Sequence, residues 1–411
     1  MMKKVISMLL CASMLIGSGA MVFAAEDTDT KGASTPTGTT ASAAAAADAP
    51  AASAPAAPIR LSLADAVKQM QTQGLRAETA NINRQSDEAI ASGYSETASD
   101  IRDMLENLGT DIASSTMAEA SGVTALNQKL VKMRRDFAKE NIQKNYQAEM
   151  NAIEKDTVQL YYGVLQAQDN VKAAQDNLNV QTTMLDNVQK KFKAGVAARK
   201  DVLSAQTSVT SAKSALKDAQ VALSTAKMSL NMLLGYSLTQ EVVLTDTLKM
   251  VEAPDVTLDA AIKDAVANRL DIKLAALGME IQKIMLDNLK YTIATNSSAY
   301  KKQEVAYLQT KQGYETAPIQ VEMDIRNQYA ALEQKKLAVE SAQATADFAK
   351  EGHRLTQISY DAGVATLAEV QEAQLQAFRA NQAVSAAISD YDLAVYEFKY
   401  AQGVGTSRIT L

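Results

Sequence analysis

Glu369 and Glu372 stand three residues apart in a stretch free of Gly and Pro, a spacing that puts both carboxylates on one helix face. Gathered from several chains at a constriction, such acids favour cations, repel anions and can titrate or bind metal. A solitary pair of this kind is otherwise a solvated helix face. His353 is the single histidine and falls on an apolar seam, a place for packing rather than for a ligand or base. Cys11 is the single cysteine and lies in an apolar leader, so disulfide and thiol chemistry are excluded beyond it. The methionines scatter without a copper-binding cluster. No Gly-rich phosphate loop, Cys/His metal spacing or nucleophile elbow occurs. The sequence therefore predicts no enzyme activity, no catalytic or metal-ligating residue and no cofactor.

The elements that carry the acids come from a repeated phrase. KAGVAARKDVLSAQ runs from Lys193 to Gln206, and DAGVATLAEVQEAQ from Asp361 to Gln374, 168 residues later. At the same offset, residues 154–235 align with 322–403 without a gap, matching Asp156/Asp324, Tyr161/Tyr329, Gly195/Gly363 and Gly235/Gly403. Upstream, Leu61–Lys68 resembles Val256–Lys263. This is an internal duplication. The first copy holds 27 more residues, which fall within 94–150.

Heptads run through both copies. After Gly195, Val202, Val209, Leu216, Leu223 and Leu230 alternate with Ala205, Ala212, Ala219, Ala226 and Leu233. After Gly363, Val370, Ala377, Val384, Tyr391 and Phe398 alternate with alanines from Ala373 to Ala401. A large residue at one seam position and Ala at the other is a coiled-coil pattern. Before Gly195 the stripes continue as Leu160, Ala167 and Ala174 against Val164, Val171, Leu178, Leu185 and Phe192. A long helix thus enters each glycine and another leaves it. The glycine suits a left-handed C-cap, and Asp201 or Glu369 suits the first turn of the returning helix. Each phrase is the tip of a helical hairpin, and both tips point the same way. An unbroken segment from Thr124 to Ala194 would span roughly 105 Å as a helix.

The remainder of the 411 residues bounds the setting. Aromatics make up 5% with no Trp, too little for one thick globular core, and the Ala/Gln/Lys/Glu/Leu usage suits long helices. Lys3 and Lys4 followed by apolar Val5–Phe23 and then Ala24 predict an export signal over 1–25. Residues 26–59, rich in Ala, Pro and Thr, predict a disordered linker. A first helical repeat is expected over 60–236, a connector over 237–255 and a second repeat over 256–411. With the two leader lysines removed, the chain carries a net charge of −8, which argues against a nucleic-acid partner. No second run of about 18 apolar residues suggests a transmembrane helix.

The tip, the acid-Val-x-x-Ala start of the returning helix, the Ala-rich heptads and their duplication together resemble the TolC family of outer-membrane efflux proteins. Asn268-Arg-Leu-Asp-Ile272 looks like that family's Asn-Arg-Pro-Asp-Ile/Leu segment, with Leu270 replacing Pro. The resemblance implies an all-α chain of antiparallel helical hairpins in two tandem repeats, closing as a homotrimer into a twelve-helix barrel. It implies a passive duct for efflux or secretion that docks onto a periplasmic adaptor belonging to an inner-membrane pump. The implied docking positions are Ala194, Gly195 and Val196 with Ala362, Gly363 and Val364. The implied duct constriction falls at Glu369 and Glu372, with Asp201 in the first copy.

One expected feature is missing. A transmembrane strand needs about 9–11 alternating residues, and neither 291–318 nor 94–150 supplies them; Lys301–Lys311 and Leu126–Tyr146 read as helix. The chain is expected to be a barrel-less relative, set in the outer membrane or periplasm of a two-membrane envelope, or in the wall space of a one-membrane cell. A structural coiled-coil spacer or stalk is the alternative reading, and a helical-armed periplasmic chaperone a third.

Overall fold

The computed structural model describes residues 58–108 and 112–411. The predicted signal and nearly all of the predicted linker lie outside them. Among the described residues the chain is mostly helical, with two three-residue strands, β1 (Ile59–Leu61) and β2 (Val242–Leu244), that pair in parallel with Ile59 opposite Val242, and an extended connector over 245–257.

Each repeat opens with a short helix whose cap is written in the sequence. In α1 (Leu63–Gln73) the Ser62 hydroxyl accepts the Asp65 N–H at 3.1 Å. In α6 (Leu258–Asn268) Thr257 does the same for Ala260 at 3.4 Å. Such caps are worth about 1 kcal/mol each. A distal helix follows, α2 (Leu75–Glu106) in the first copy and α7 (Leu270–Thr292) in the second. The first copy then adds α3 (Ile112–Ala120), where the additional residues were expected. Long helices run back: α4 (Ala125–Lys193, 69 residues) and α8 (Ser298–Asp361, 64 residues). At 1.5 Å per residue they measure about 104 and 96 Å. The hairpins close with α5 (Arg199–Leu234) and α9 (Leu367–Ala401).

The two copies repeat their packing as well as their order. α1 packs on α4 as α6 packs on α8, and α2 lies along α4 as α7 lies along α8. The Asp matched between copies is used twice: Arg76 pairs with Asp156, and Arg269 with Asp324 at 3.2 Å. Two equatorial cores hold the copies. The first gathers Tyr161, Val164, Leu230 and Val242. The second gathers Ile325, Leu332, Tyr391 and Phe398. Fully burying each such aliphatic side chain stabilises by about 1.5–3 kcal/mol.

The α5 and α9 stripes predicted from heptads face inward, with Ala205, Val209, Ala212, Val370, Ala377 and Ala380 all buried. The descending stripe of α4 differs from expectation. Ala174 is buried as expected, but below it the buried positions are Gln181, Met184 and Val188, while Leu178 and Leu185 are half-buried and Phe192 is exposed. Phe192 falls in the last turn before the bend.

The segments searched for barrel strands are helical. Residues 298–318 belong to α8, which passes through Pro318, and 293–297 form only the turn into it. The first copy's distal end is closed by Ala98, Ile101 and Val131 against Tyr94, Leu105 and Val123. Among the described residues no helix is long and apolar enough to cross a membrane.

Candidate docking tips and duct wall

Both bends lie at one end of the molecule and are built alike. Gly195 has φ +80° and Gly363 φ +77°, a left-handed conformation that costs a side-chain-bearing residue about 1 kcal/mol or more. At the first bend Gly195 N–H bonds the Phe192 carbonyl at 2.9 Å, and Val196 N–H bonds that of Lys191 at 3.0 Å. At the second, Gly363 N–H bonds Tyr360 at 3.0 Å and Val364 N–H bonds Ser359 at 2.8 Å. This is the paired C-cap that satisfies the last carbonyls of a helix. The result is an exposed apolar point: Val196 and Val364 are 75% and 82% exposed. Ala194, Gly195, Ala362 and Gly363 are exposed beside them.

The returning helices spend two of the three singled-out acids on their caps. Asp201 Oδ2 accepts the Ala198 N–H at 3.1 Å. Glu369 Oε2 accepts the Thr366 N–H at 2.6 Å, while the Thr366 hydroxyl accepts the Glu369 N–H at 3.3 Å. The Thr366 backbone bond, then its hydroxyl, holds the Glu369 carboxyl below the usual glutamate range. Glu372 is exposed one turn further on and, among the described residues, accepts from Gln376 at 3.2 Å. Asp201 and Glu369 occupy equivalent positions of the two repeats, so Glu372 has no acidic twin.

Three residues that sequence reasoning passed over join the tips. Lys191 Nζ lies 3.2 Å from Asp361 Oδ1 and 3.9 Å from the centre of the Tyr360 ring. Below them Leu367 and Val370 pack with Met184, Val188 and Ala205, and Ser204 bonds Gln371 at 3.2 Å. A groove of about 820 Å³ opens between the bends, lined by Lys191, Val196, Lys200, Asp361 and Thr366 among others. A signal for this contact existed. The first bend is preceded by Lys190, Lys191 and Lys193, and the second by Ile358, Ser359 and Asp361 at the matching positions. The duplicated copies had diverged in charge where they face one another.

Above the tips the four long helices form a wall in the order α5, α4, α9, α8. α5 and α8 are its edges. They expose apolar side chains at heptad spacing, Val221 and Met228 on one and Phe348 and Leu355 on the other, with Phe348 81% exposed. His353 lies on α8 between these residues, half-buried, and burial holds its pKa below the ordinary histidine value. Among the described residues no group of acids, Cys and His is arranged to hold a metal.

The family model for outer membrane efflux protein matches residues 127–236, which is α4, the first bend and α5. No curated protein matches the chain. Solved structures do. The outer membrane protein VceC of Vibrio cholerae is similar at 12% identity, covering 84% of this chain and 97% of its own, with a TM-score of 0.58. The CmeC outer membrane channel of Campylobacter jejuni is 13% identical over 84% of this chain and 87% of its own, with a TM-score of 0.61. The MtrE outer membrane channel of Neisseria gonorrhoeae is 15% identical over 85% and 90%, with a TM-score of 0.58. At these identities the likeness concerns the fold. Residues 127–236 are thus similar to the outer membrane efflux protein family, and both repeats share the fold of these solved outer membrane channels.

Proposed function

We propose that three copies join edge to edge, α8 of one against α5 of the next, into a twelve-helix duct that conducts efflux or secretion substrates passively. The observation that carries this reading is the placement of two glycine bends at one end of a wall whose two edge helices still expose apolar seams. A head-to-tail contact of this kind makes a ring when its rotation closes. The exposed points at Ala194–Val196 and Ala362–Val364 then form a crown of six tips. In this reading the crown docks on a periplasmic adaptor, and an inner-membrane pump supplies the energy. Glu372 is the best candidate for an acidic constriction, because its carboxylate is free of the helix caps that engage Asp201 and Glu369.

The family setting puts such a duct in the cell envelope, at the outer membrane. The comparisons lend no support to a purely periplasmic or single-membrane setting. A continuous stalk is disfavoured by bends that interrupt both copies at the same register.

Sedimentation of the purified protein over a range of concentrations tests the assembly. A trimer at high concentration supports the duct; a dimer at every concentration contradicts it. Adaptor capture from detergent-solubilised envelope tests the crown. Gly195→Trp with Gly363→Trp should keep helicity by circular dichroism and abolish capture, and undiminished capture would remove the docking assignment.

A further inference from the structure

The residues after α9 end in a cleft of the other repeat. From Gln402 the chain leaves the second copy and runs along α4 of the first, antiparallel to it. Asn151 Nδ2 donates to the Gly405 carbonyl at 3.0 Å. Arg408 then enters between α2 and α4, where its Nη2 bonds Asp87 Oδ1 at 2.7 Å and its Nε lies 3.1 Å from Glu149 Oε1. Asp87 is only 2% exposed and Asn145 only 1%. Asn145 grips one residue by both backbone groups: its Oδ1 accepts the Ile409 N–H at 2.9 Å, and its Nδ2 donates to the Ile409 carbonyl at 2.8 Å. The walls are braced from behind, with Asn145 Nδ2 also on Asp87 Oδ2 at 3.0 Å and Asn83 on both Glu149 oxygens at 3.1 Å.

The duplication shows what this replaces. The position matching Ile409 in the first copy is Glu241, whose carbonyl accepts the Ile59 N–H at 2.9 Å as β1 pairs with β2. The second copy has no strand before α6. A side-chain amide on α4 takes the strand's place, and two carboxylates supply a charge-assisted seat for one guanidinium. Backbone capture by an amide beside a fixed charge pocket is how extended peptides are read: main-chain bonds hold the segment and one side chain selects it.

We propose that the cleft between α2 and α4 is a binding site for an extended, arginine-bearing peptide segment, and that residues 405–411 of this chain occupy it in cis. The occupant clamps the end of the second repeat to the distal helix pair of the first. The assignment does not depend on the duct or on the oligomeric state.

The test uses the chain ended at Val404 and the synthetic peptide GTSRITL. Hydrogen exchange should show amides of residues 83–91 and 141–151 losing protection on truncation, by on the order of tenfold or more. Protection at the tips should hold. The peptide added in trans should bind saturably and restore that protection, and GTSAITL should do neither. Equal binding by both peptides, no binding, or unchanged protection after truncation would overturn the site. Should the shortened chain fail to fold, full-length Arg408→Ala and Arg408→Lys serve instead. Ala should loosen residues 83–91 selectively and Lys should recover part of the loss, whereas no change or a uniform change in both variants would overturn it.

Discussion

Lys191 and Asp361 meet at 3.2 Å although 170 residues separate them in the chain. Their contact brings the two bends of the repeats side by side at one end of the molecule. Gln357, then Lys191, holds the Asp361 carboxyl below the usual aspartate range. Both side chains remain partly solvated, so the pair sets geometry more than stability. A double-mutant cycle with Lys191→Met and Asp361→Asn should give a coupling of about 0.3–1 kcal/mol in urea unfolding. That coupling should fall toward zero in 1 M salt. A coupling above about 2 kcal/mol would mean that the pair is shielded from water in the assembled protein.

At the bends, Gly195→Ala and Gly363→Ala isolate the backbone term. A Cβ at either site meets nothing within 4 Å, so the cost should be conformational alone, about 1 kcal/mol each. Thermal unfolding should register this loss with unchanged helix content. A much larger loss would show that the tips are packed against something in the native assembly.

Tyr161 joins the first repeat to the connector. Its hydroxyl lies 2.6 Å from Asp246 Oδ2 and 3.1 Å from the Leu61 carbonyl, while the same Asp246 oxygen accepts the Leu63 N–H at 2.8 Å. Burial, then Asp246, holds the phenol pKa well above its ordinary value. Tyr161→Phe should destabilise by about 1–3 kcal/mol. The change is checked by denaturant midpoint. Tyr329, its match in the second copy, instead stacks edge-on against Phe398 at 5.6 Å, and Tyr329→Phe should cost little.

Asp392 carries a pH dependence. It is buried on α9 and accepts the connector's Val251 N–H at 2.9 Å. Burial pushes its pKa up to about 6, against the pull of that bond and of Tyr162. A raised acid holds its proton more tightly when folded, so its contribution is greatest at acid pH. That contribution is lost as pH climbs from the unfolded value near 4 through about 6. Relative to Asp392→Asn, the parent should lose roughly 2–3 kcal/mol across that window and stay level above it. Parallel pH–stability curves for the two proteins would contradict this.

Legibility followed the physics of each feature. The bends and the inward stripes of α5 and α9 were readable because each rests on local chemistry or on strict spacing. Thr124 caps α4, accepting the Asn127 N–H at 3.0 Å, a cap the sequence reading did not single out. The descending stripe of α4 was read correctly at Ala174 and misread beyond it, because Gln181 and Val188 carry less hydrophobic signal than Leu178, Leu185 and Phe192. In a wall with open edges, the larger residues are left for surfaces that a single chain does not cover. The cleft holding Arg408 was not legible at all. Asp87, Asn145 and Arg408 are scattered along the chain, and only the tertiary path of the last residues brings them together. The capping duties of Asp201 and Glu369 were half visible, since their first-turn positions were clear while the competing use as a constriction came from the resemblance.

The most direct test of the account is electron microscopy of the purified assembly viewed down its long axis. The account predicts a hollow ring of twelve helix densities near the tip end, four from each of three copies, with six bends in one plane. A solid bundle, or bends divided between opposite ends, would contradict it.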